Sequence, residues 1–111
     1  MKNSIKKTKE FKEVYNKRKS FSNDFFVLYT NKKENIDYNR LGISISKKVG
    51  NSVVRHRMAR LIRESYRLHE EYFNIGLDMV VVVRPSAKDI GYHEMSSALM
   101  HLANLHHITC R

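Results

Sequence analysis

Apolar residues in the first quarter of the chain recur at helical spacing and then in an extended run. Phe11, Val14 and Tyr15 are three or four positions apart, which predicts a short amphipathic helix over residues 8–17. Residues 23–30, NDFFVLYT, are rich in aromatic and β-branched side chains and predict a strand. The chain therefore begins with a helix that is followed directly by a strand.

The second half alternates between extended and helical patterns. Residues 31–39 are polar and predict a hairpin connection, and in residues 40–46 apolar positions alternate with Gly and Ser, which predicts a strand covered on one face only. The nearly continuous apolar run at residues 77–84, closed by Pro85, is typical of a central strand. A closing helix is predicted from the spacing of Tyr92, Met95, Leu99, Leu102 and Leu105.

Between these strands lies a basic helix that is expected to begin near Asn51, a residue that can cap a helix start. Glu64 is the single acid in residues 47–67, and it is expected to pair with Arg60 four positions earlier. One arc of the helix is apolar and carries Val54, Met58, Leu61, Ile62 and Leu68. The opposite arc carries His56, Arg60, Arg63 and Arg67, with Arg55 and Arg57 at the flanks.

The formal net charge of +10 is unevenly distributed, which points to a polyanionic partner. Residues 1–19 and 47–67 each contribute +6, whereas residues 20–46 are neutral and residues 68–111 contribute −2. The first residues, 1–7, are expected to form a mobile basic arm. There is no secretory signal or membrane-length apolar segment, so a soluble, cytoplasmic protein without a membrane partner is expected.

These elements predict a single α+β domain over residues 1–111, in which helices pack on a small mixed β-sheet. The predicted order is α-β-β-α-β-α, and one extra short strand is possible. Strand, basic helix and strand would normally cross over with right-handed chirality. No protein catalytic site is predicted, because Asp24, Asp37, Asp78 and Asp89 lie in four different elements or loops. His106 and Cys110 have a spacing that could share a metal, but two ligands do not close a site, and both are expected at the surface.

The run SISKKVGNSVVRHRMARLIRE, residues 44–64, closely resembles the signature of the bacterial ribonuclease P protein subunit family. In that family a Ser-x-Ser-Lys-Lys-x-Gly-Asn segment leads into a helix with an Arg-Asn-Arg motif. Two positions depart from the pattern: His56 stands where Asn is usual, and Ala59 where a basic residue is usual. The resemblance extends to FKEVYNKRKSFSNDFFVLYT upstream and DMVVVVRPSAK downstream, so it spans nearly the whole chain.

The resemblance implies a fold, partners and site residues. It implies a left-handed crossover at the basic helix, a catalytic RNA that holds the Mg²⁺ ions, and precursor tRNA as substrate, with no obligate protein partner evident. It implies that the protein has no catalytic residues, and it leaves any metal position on the protein unknown. Single-stranded 5′ leader would bind Phe11, Lys12, Tyr15 and Tyr29, because rings stack on bases of any sequence while lysines follow the backbone.

The candidate RNA-docking residues combine the basic arc with the motif. They are Lys47, Lys48, Asn51, Arg55, His56, Arg57, Arg60, Arg63 and Arg67. Two other interpretations share the charge and the elements: a structural RNA-binding protein of the ribosomal type, and a DNA-binding protein that lays the basic helix in a major groove. The aromatic residues Phe11, Tyr15 and Tyr29 could also be ordinary core residues.

Overall fold

A computed structural model describes residues 4–109. In chain order its helices and strands are α1 (Thr8–Asn16), β1 (Ser20–Ser22), β2 (Phe26–Lys32), β3 (Arg40–Ile45), α2 (Ser52–His69), β4 (Leu77–Val83) and α3 (Tyr92–Leu105), with single-turn 3-10 helices at Glu70–Tyr72 and Pro85–Ala87. The predicted α+β order is confirmed, and β1 is the optional extra strand.

The four strands form one mixed sheet in the order β1-β2-β4-β3. Strand β4 is central, antiparallel to β2 and parallel to β3, as its apolar sequence predicts. The predicted hairpin between β2 and β3 is wrong, because β4 lies between them. Residues 31–39 instead cross the beginning of β4, where the Asn39 side chain accepts a hydrogen bond from Leu77 N at 2.9 Å and donates one to Asn74 O at 2.7 Å.

Helices α2 and α3 pack on one face of the sheet and form the larger core. Strands β3 and β4 are parallel neighbours joined through α2, the unit for which the family resemblance implies a left-handed crossover. Met58 and Ile62 of α2 are fully buried, as predicted, together with Met95 and Leu102 of α3. This core holds α2 against the sheet and leaves its opposite arc in solvent.

The apolar arc of α2 ends earlier than the helical wheel suggests. Leu68 was predicted to be buried, but it is 51% exposed, and Leu105 of α3 is 37% exposed. The buried residues of the last two turns are instead Ser65 and Tyr66, and Ser65 Oγ donates to Ser96 Oγ of α3 at 2.8 Å. Because α2 meets α3 through Ser65, its buried side lies over Ser65 and Tyr66 and leaves Leu68 in solvent.

The second face of the sheet is covered in part by α1, which corrects the expectation of a strand with one bare face. Helix α1 buries Val14 on Val80 of β4, and Ile5 packs beside them. A Cβ atom placed on Gly42 of β3 would lie 2.9 Å from the Phe11 ring. Gly42 is therefore small because α1 lies directly above it.

Two chain segments differ locally from the sequence prediction. Ile5 is 4% exposed, and its amide donates to Leu41 O at 3.0 Å, so the basic arm cannot include it; residues 1–3 of that arm lie outside the described residues. The strand predicted from residue 23 begins only at Phe26. The side-chain oxygen of Asn23 accepts hydrogen bonds from the amides of Phe25 and Phe26, each at 3.0 Å, which makes a turn there.

Candidate RNA-binding surfaces

Three predicted aromatic residues meet between α1 and the sheet. The ring centroids of Tyr15 and Tyr29 are 4.8 Å apart in an edge-on arrangement, and those of Phe11 and Tyr15 are 6.3 Å apart. All three rings are half-buried, whereas Lys12 on the neighbouring turn of α1 is exposed. The structure therefore brings the four predicted leader residues to one side of the molecule, with ring surface left accessible.

An open strip of sheet continues from these rings. Strand register places Ser22, Val27, Val82 and Ser44 in one row across β1, β2, β4 and β3, on the same face as Tyr29. Ser22 is exposed and the other three are half-buried, so no helix covers the row fully. We call the rings and this row the cleft. Its floor is apolar or small, which suits flat bases of any sequence.

A partly buried ion network fixes the position of α1 on the other side of the helix. Arg40 of β3 donates to both carboxylate oxygens of Asp78 on β4, at 2.9 and 2.7 Å, and also forms an ion pair with Glu10 of α1. Lys33 Nζ lies 3.6 Å from Asp78. The hydrogen bond from Arg40 lowers the pKa of Glu10, and the hydrogen bond to Asp78 raises the pKa of Arg40. Both shifts favour the ionised forms of Glu10 and Arg40.

The predicted basic arc of α2 is exposed along its length. Asn51 caps the helix as expected, with its side-chain oxygen accepting from Val54 N at 3.0 Å. Arg60, Arg63 and His56 are solvent-exposed, and Lys47 and Lys48 lie just before the helix on the same exposed segment. Among residues 4–109 none of the four Lys and Arg residues of this set forms an ion pair with a carboxylate.

The other docking candidates have contacts of their own. Arg55 Nε donates to Gly50 O at 3.2 Å, and Arg57 reaches Ile90 O at 3.4 Å. Arg67 donates two hydrogen bonds to Glu64, at 3.2 and 2.6 Å, which lower the pKa of Glu64. The predicted pairing of Glu64 with Arg60 is therefore wrong. The partner of Glu64 is Arg67, one turn later, and the charge of Arg60 is not neutralised by Glu64.

His106 is not the surface residue that its position near the chain end suggested. Its ring packs edge-on against Phe21, with centroids 4.8 Å apart, and its Nε2–H donates to Leu28 O at 2.6 Å. The Thr30 hydroxyl lies 3.3 Å from its Nδ1. His106 therefore fastens the end of α3 to β2, and Cys110, its proposed metal partner, lies outside the described residues.

The acidic residues do not gather into a metal-holding cluster in the described part of the chain. No group of three or more His, Cys, Asp or Glu side chains within residues 4–109 is placed to hold a metal ion. Asp78 is 3% exposed and is bound by Arg40 and Lys33. The described residues therefore do not fit a protein-held Mg²⁺. Within the same residues, no helix is long and apolar enough to span a bilayer.

Sequence reasoning missed three contributors to these surfaces. Gly42 and the row around Val82 shape the cleft, but only the strand register reveals them. The basic segment Lys17, Arg18 and Lys19 directly follows α1 and was left out of the site, although the run is visible in the sequence. Lys6 was placed in the arm, and it lines a hollow of about 260 Å³ together with Arg63.

The fold and these two surfaces define a small basic α+β protein with a cationic helix on one side of the sheet and an aromatic cleft on the other. The Ribonuclease P family model matches residues 1–106. The chain belongs to the ribonuclease P protein family.

Relatives from other bacteria agree over most of the chain. The ribonuclease P protein component of Lachnoclostridium phytofermentans is 57% identical over 108 residues, covering 97% of this chain and 92% of the relative. That of Clostridium botulinum strain Langeland is 50% identical over 101 residues, covering 90% of each. Ribonuclease P is an endoribonuclease that acts as a ribonucleoprotein, and the family serves tRNA 5′ leader processing with an RNA subunit.

Solved structures confirm the fold. The ribonuclease P protein of Staphylococcus aureus superposes with a TM-score of 0.89 at 36% identity, covering 97% of this chain and 98% of the other. The protein from Thermotoga maritima gives a TM-score of 0.81 at 26% identity, covering 89% and 93%. The four-stranded mixed sheet and three helices are therefore the family fold, and association with an RNA subunit follows from membership.

Proposed function

We propose that this protein uses its two surfaces for two RNA contacts within ribonuclease P. The basic arc of α2, with Lys47 and Lys48, docks the catalytic RNA. The cleft around Tyr15 and Tyr29 binds the single-stranded 5′ leader of precursor tRNA. The RNA carries the phosphodiester hydrolysis and holds the Mg²⁺ ions, and the complex works in the cytoplasm.

One observation carries this proposal: the aromatic cleft and the basic arc lie on opposite faces of the same sheet. A protein that binds one RNA needs one continuous basic surface, whereas a protein that bridges two RNA segments needs two. The cleft is flat, ring-lined and weakly polar, as expected for unpaired bases. The arc is cationic and lies on a rigid helix, as expected for the phosphates of a folded RNA.

The assignment of chemistry to the RNA is tested with purified protein. Protein freed of RNA by several independent methods should leave precursor tRNA intact in the presence of magnesium, because the described carboxylates gather no ion site. Cleavage should appear only when the catalytic RNA is added. Dose-dependent cleavage at the mature 5′ end by protein alone would overturn this part of the proposal.

The leader cleft is tested by comparing two substrates. Precursor and mature tRNA differ in the 5′ leader, so residues that touch the leader set the preference between them. Tyr15→Ala and Tyr29→Ala in the reconstituted complex should each weaken precursor binding by about 1–3 kcal/mol, the contribution of a stacked base, and leave mature tRNA binding level. Thermal melts serve as the folding control. If the variants are destabilised but the ratio of precursor to mature tRNA affinity is unchanged, these tyrosines are core residues only.

A further inference from the structure

The turn that follows α1 carries three consecutive cations, Lys17, Arg18 and Lys19, and all three are exposed. Arg18 has φ of 55°, the left-handed conformation that usually falls to Gly at a helix end. Its amide donates to Tyr15 O at 3.0 Å, so the turn is closed directly beneath a cleft ring. A side chain in this conformation costs about 1 kcal/mol compared with Gly. Such a cost is commonly found where the side chain has a task.

The turn passes around the β1 edge of the sheet, from the cleft to the opposite face. Ser20 is paired with Tyr29, and the next rung is the hydrogen bond from Thr30 N to Lys19 O at 3.1 Å. Because successive residues of a strand point to opposite faces, Lys19 lies on the face away from the cleft. The three cations therefore form a continuous path over the edge.

Beyond the edge the path enters a groove of about 580 Å³, a volume within the range of about 300–1,000 Å³ that ligand sites occupy. Apolar side chains form its floor, Lys19 and Lys32 lie at its rim, and no carboxylate among residues 4–109 lines it. Ile75 on the floor is 63% exposed and therefore accessible to a bound molecule. The side chains that line the groove include Lys19, Lys32, Phe73, Ile75, His107 and Ile108.

The charges of the turn and the rim are not neutralised by ion pairs within the described part of the protein. Within residues 4–109 the ion pairs are those of Lys33, Arg40 and Arg67, and none involves the turn or Lys32. A cationic rim over an apolar floor is complementary to a nucleotide, whose phosphate takes the rim and whose base takes the floor. Continuity with the cleft favours RNA over a separate protein partner.

We propose that a long 5′ leader leaves the cleft over Tyr15 and Tyr29, turns around the β1 edge on Lys17, Arg18 and Lys19, and seats one further nucleotide in this groove. The proposal rests on the proposed leader function of the cleft and extends it to a second, more distant subsite. Precursors with leaders too short to reach the edge use the cleft alone. The protein would thus favour long leaders over short ones, irrespective of leader sequence.

The experiment is a leader-length series bound to the reconstituted complex. Precursor tRNAs with leaders lengthened one nucleotide at a time should show a first gain in affinity as the cleft fills, then a second gain of roughly fivefold to a hundredfold as the groove fills. Lys19→Ala combined with Lys32→Ala should abolish the second gain only. It should also make the salt dependence for long leaders shallower by roughly 0.7 per lysine.

Two further variants separate the groove from general charge. Ile75→Asp places a negative charge on an exposed floor position and should remove the second gain without unfolding the protein, as thermal melts would confirm. Lys9→Ala is the matched control, since it removes an exposed lysine of α1 that lines the hollow around Glu10, on the far side of the helix from the cleft. It should leave both gains in place.

A photoreactive base at the leader position of the second gain gives an independent readout. Its crosslink is expected on Phe73, Ile75 or His107. A second gain that survives in the double lysine variant, a crosslink on α2, or a series with only the first gain would overturn the groove proposal and leave the cleft standing. Absence of the first gain would instead overturn the proposed leader function itself.

Discussion

Arg40 and Asp78 lie opposite each other in the parallel ladder between β3 and β4, and the Arg40 guanidinium donates two hydrogen bonds to the Asp78 carboxylate at 2.9 and 2.7 Å. The same guanidinium also binds Glu10 of α1. One side chain therefore joins both strands to the helix that forms the wall of the cleft. The network couples the placement of the aromatic rings to the register of the sheet.

Removal of the carboxylate should destabilise the protein. The Asp78 side chain is 4% exposed, so Asp78→Ala leaves Arg40 partly buried with only Glu10 as a partner. We expect a loss of about 3–5 kcal/mol in the free energy of unfolding, measured by urea denaturation. Asp37→Ala at an exposed position is the control and should change stability little. Equal losses in the two variants would contradict a structural role for the network.

Gly42→Ala should impair the cleft through packing alone. Its new Cβ would lie 2.9 Å from two atoms of the Phe11 ring and 3.1 Å from Ile5 Cβ, so the ring or the whole of α1 must move. We expect a stability cost of about 1–3 kcal/mol and a weaker preference for precursor over mature tRNA. Gly91→Ala, where nothing lies within 4 Å of the new atom, should keep that preference. An unchanged preference in Gly42→Ala would mean that the ring position is irrelevant to the leader.

Local sequence signals predicted the elements that depend on local physics. The cap at Asn51 and the central position of β4 were predicted because a capping side chain and an all-apolar strand need no distant information. The position of β4 between β2 and β3 was not predicted, because strand order depends on which surfaces become buried together. The polar residues 31–39 suit a β2–β3 hairpin and a longer connection across β4 equally well.

The errors at side chains have the same origin. Gly42 is small because Phe11 packs above it, and His106 is half-buried because the Leu28 carbonyl and the Thr30 hydroxyl of β2 lie within its reach. Neither contact can be predicted from spacing along the chain. The aromatic residues of the cleft were placed together through the family resemblance, since periodicity alone left them as ordinary core residues. The basic arc of α2 was predicted from periodicity itself.

The RNA-docking assignment makes Arg60 and Arg67 differ, although both are exposed arginines on one arc of α2. Arg60→Ala should weaken docking of the catalytic RNA and make the slope of log affinity against log salt shallower by about one unit, because one phosphate contact is lost. Arg67 already donates two hydrogen bonds to Glu64, so Arg67→Ala should have the smaller effect. Filter binding over a range of salt concentrations measures both slopes. Identical slopes in wild-type and Arg60→Ala protein would place Arg60 outside the interface.

His106 should make stability depend on pH in a defined direction. Burial lowers the pKa of His106 below its ordinary value of 6.5. The hydrogen bond to Leu28 O raises this pKa and the charge of Lys19 lowers it, but burial is the largest effect. The folded protein therefore binds fewer protons on the His106 ring than the unfolded chain does. The neutral ring contributes its full stabilisation above pH 6.5, and this stabilisation is lost as pH falls below that value.

The measurement for His106 is urea denaturation at about pH 7.5 and about pH 5.5, in wild-type protein and in His106→Gln. Glutamine can still donate to Leu28 O but does not titrate in this range, so the variant should lose less stability on acidification than wild-type protein does. His106→Gln should cost some stability at the higher pH, because its amide packs less well than the ring against Phe21. If both proteins lose equal stability on acidification, the protons taken up on unfolding bind to other groups. His106 then fastens α3 to β2 without making stability depend on pH.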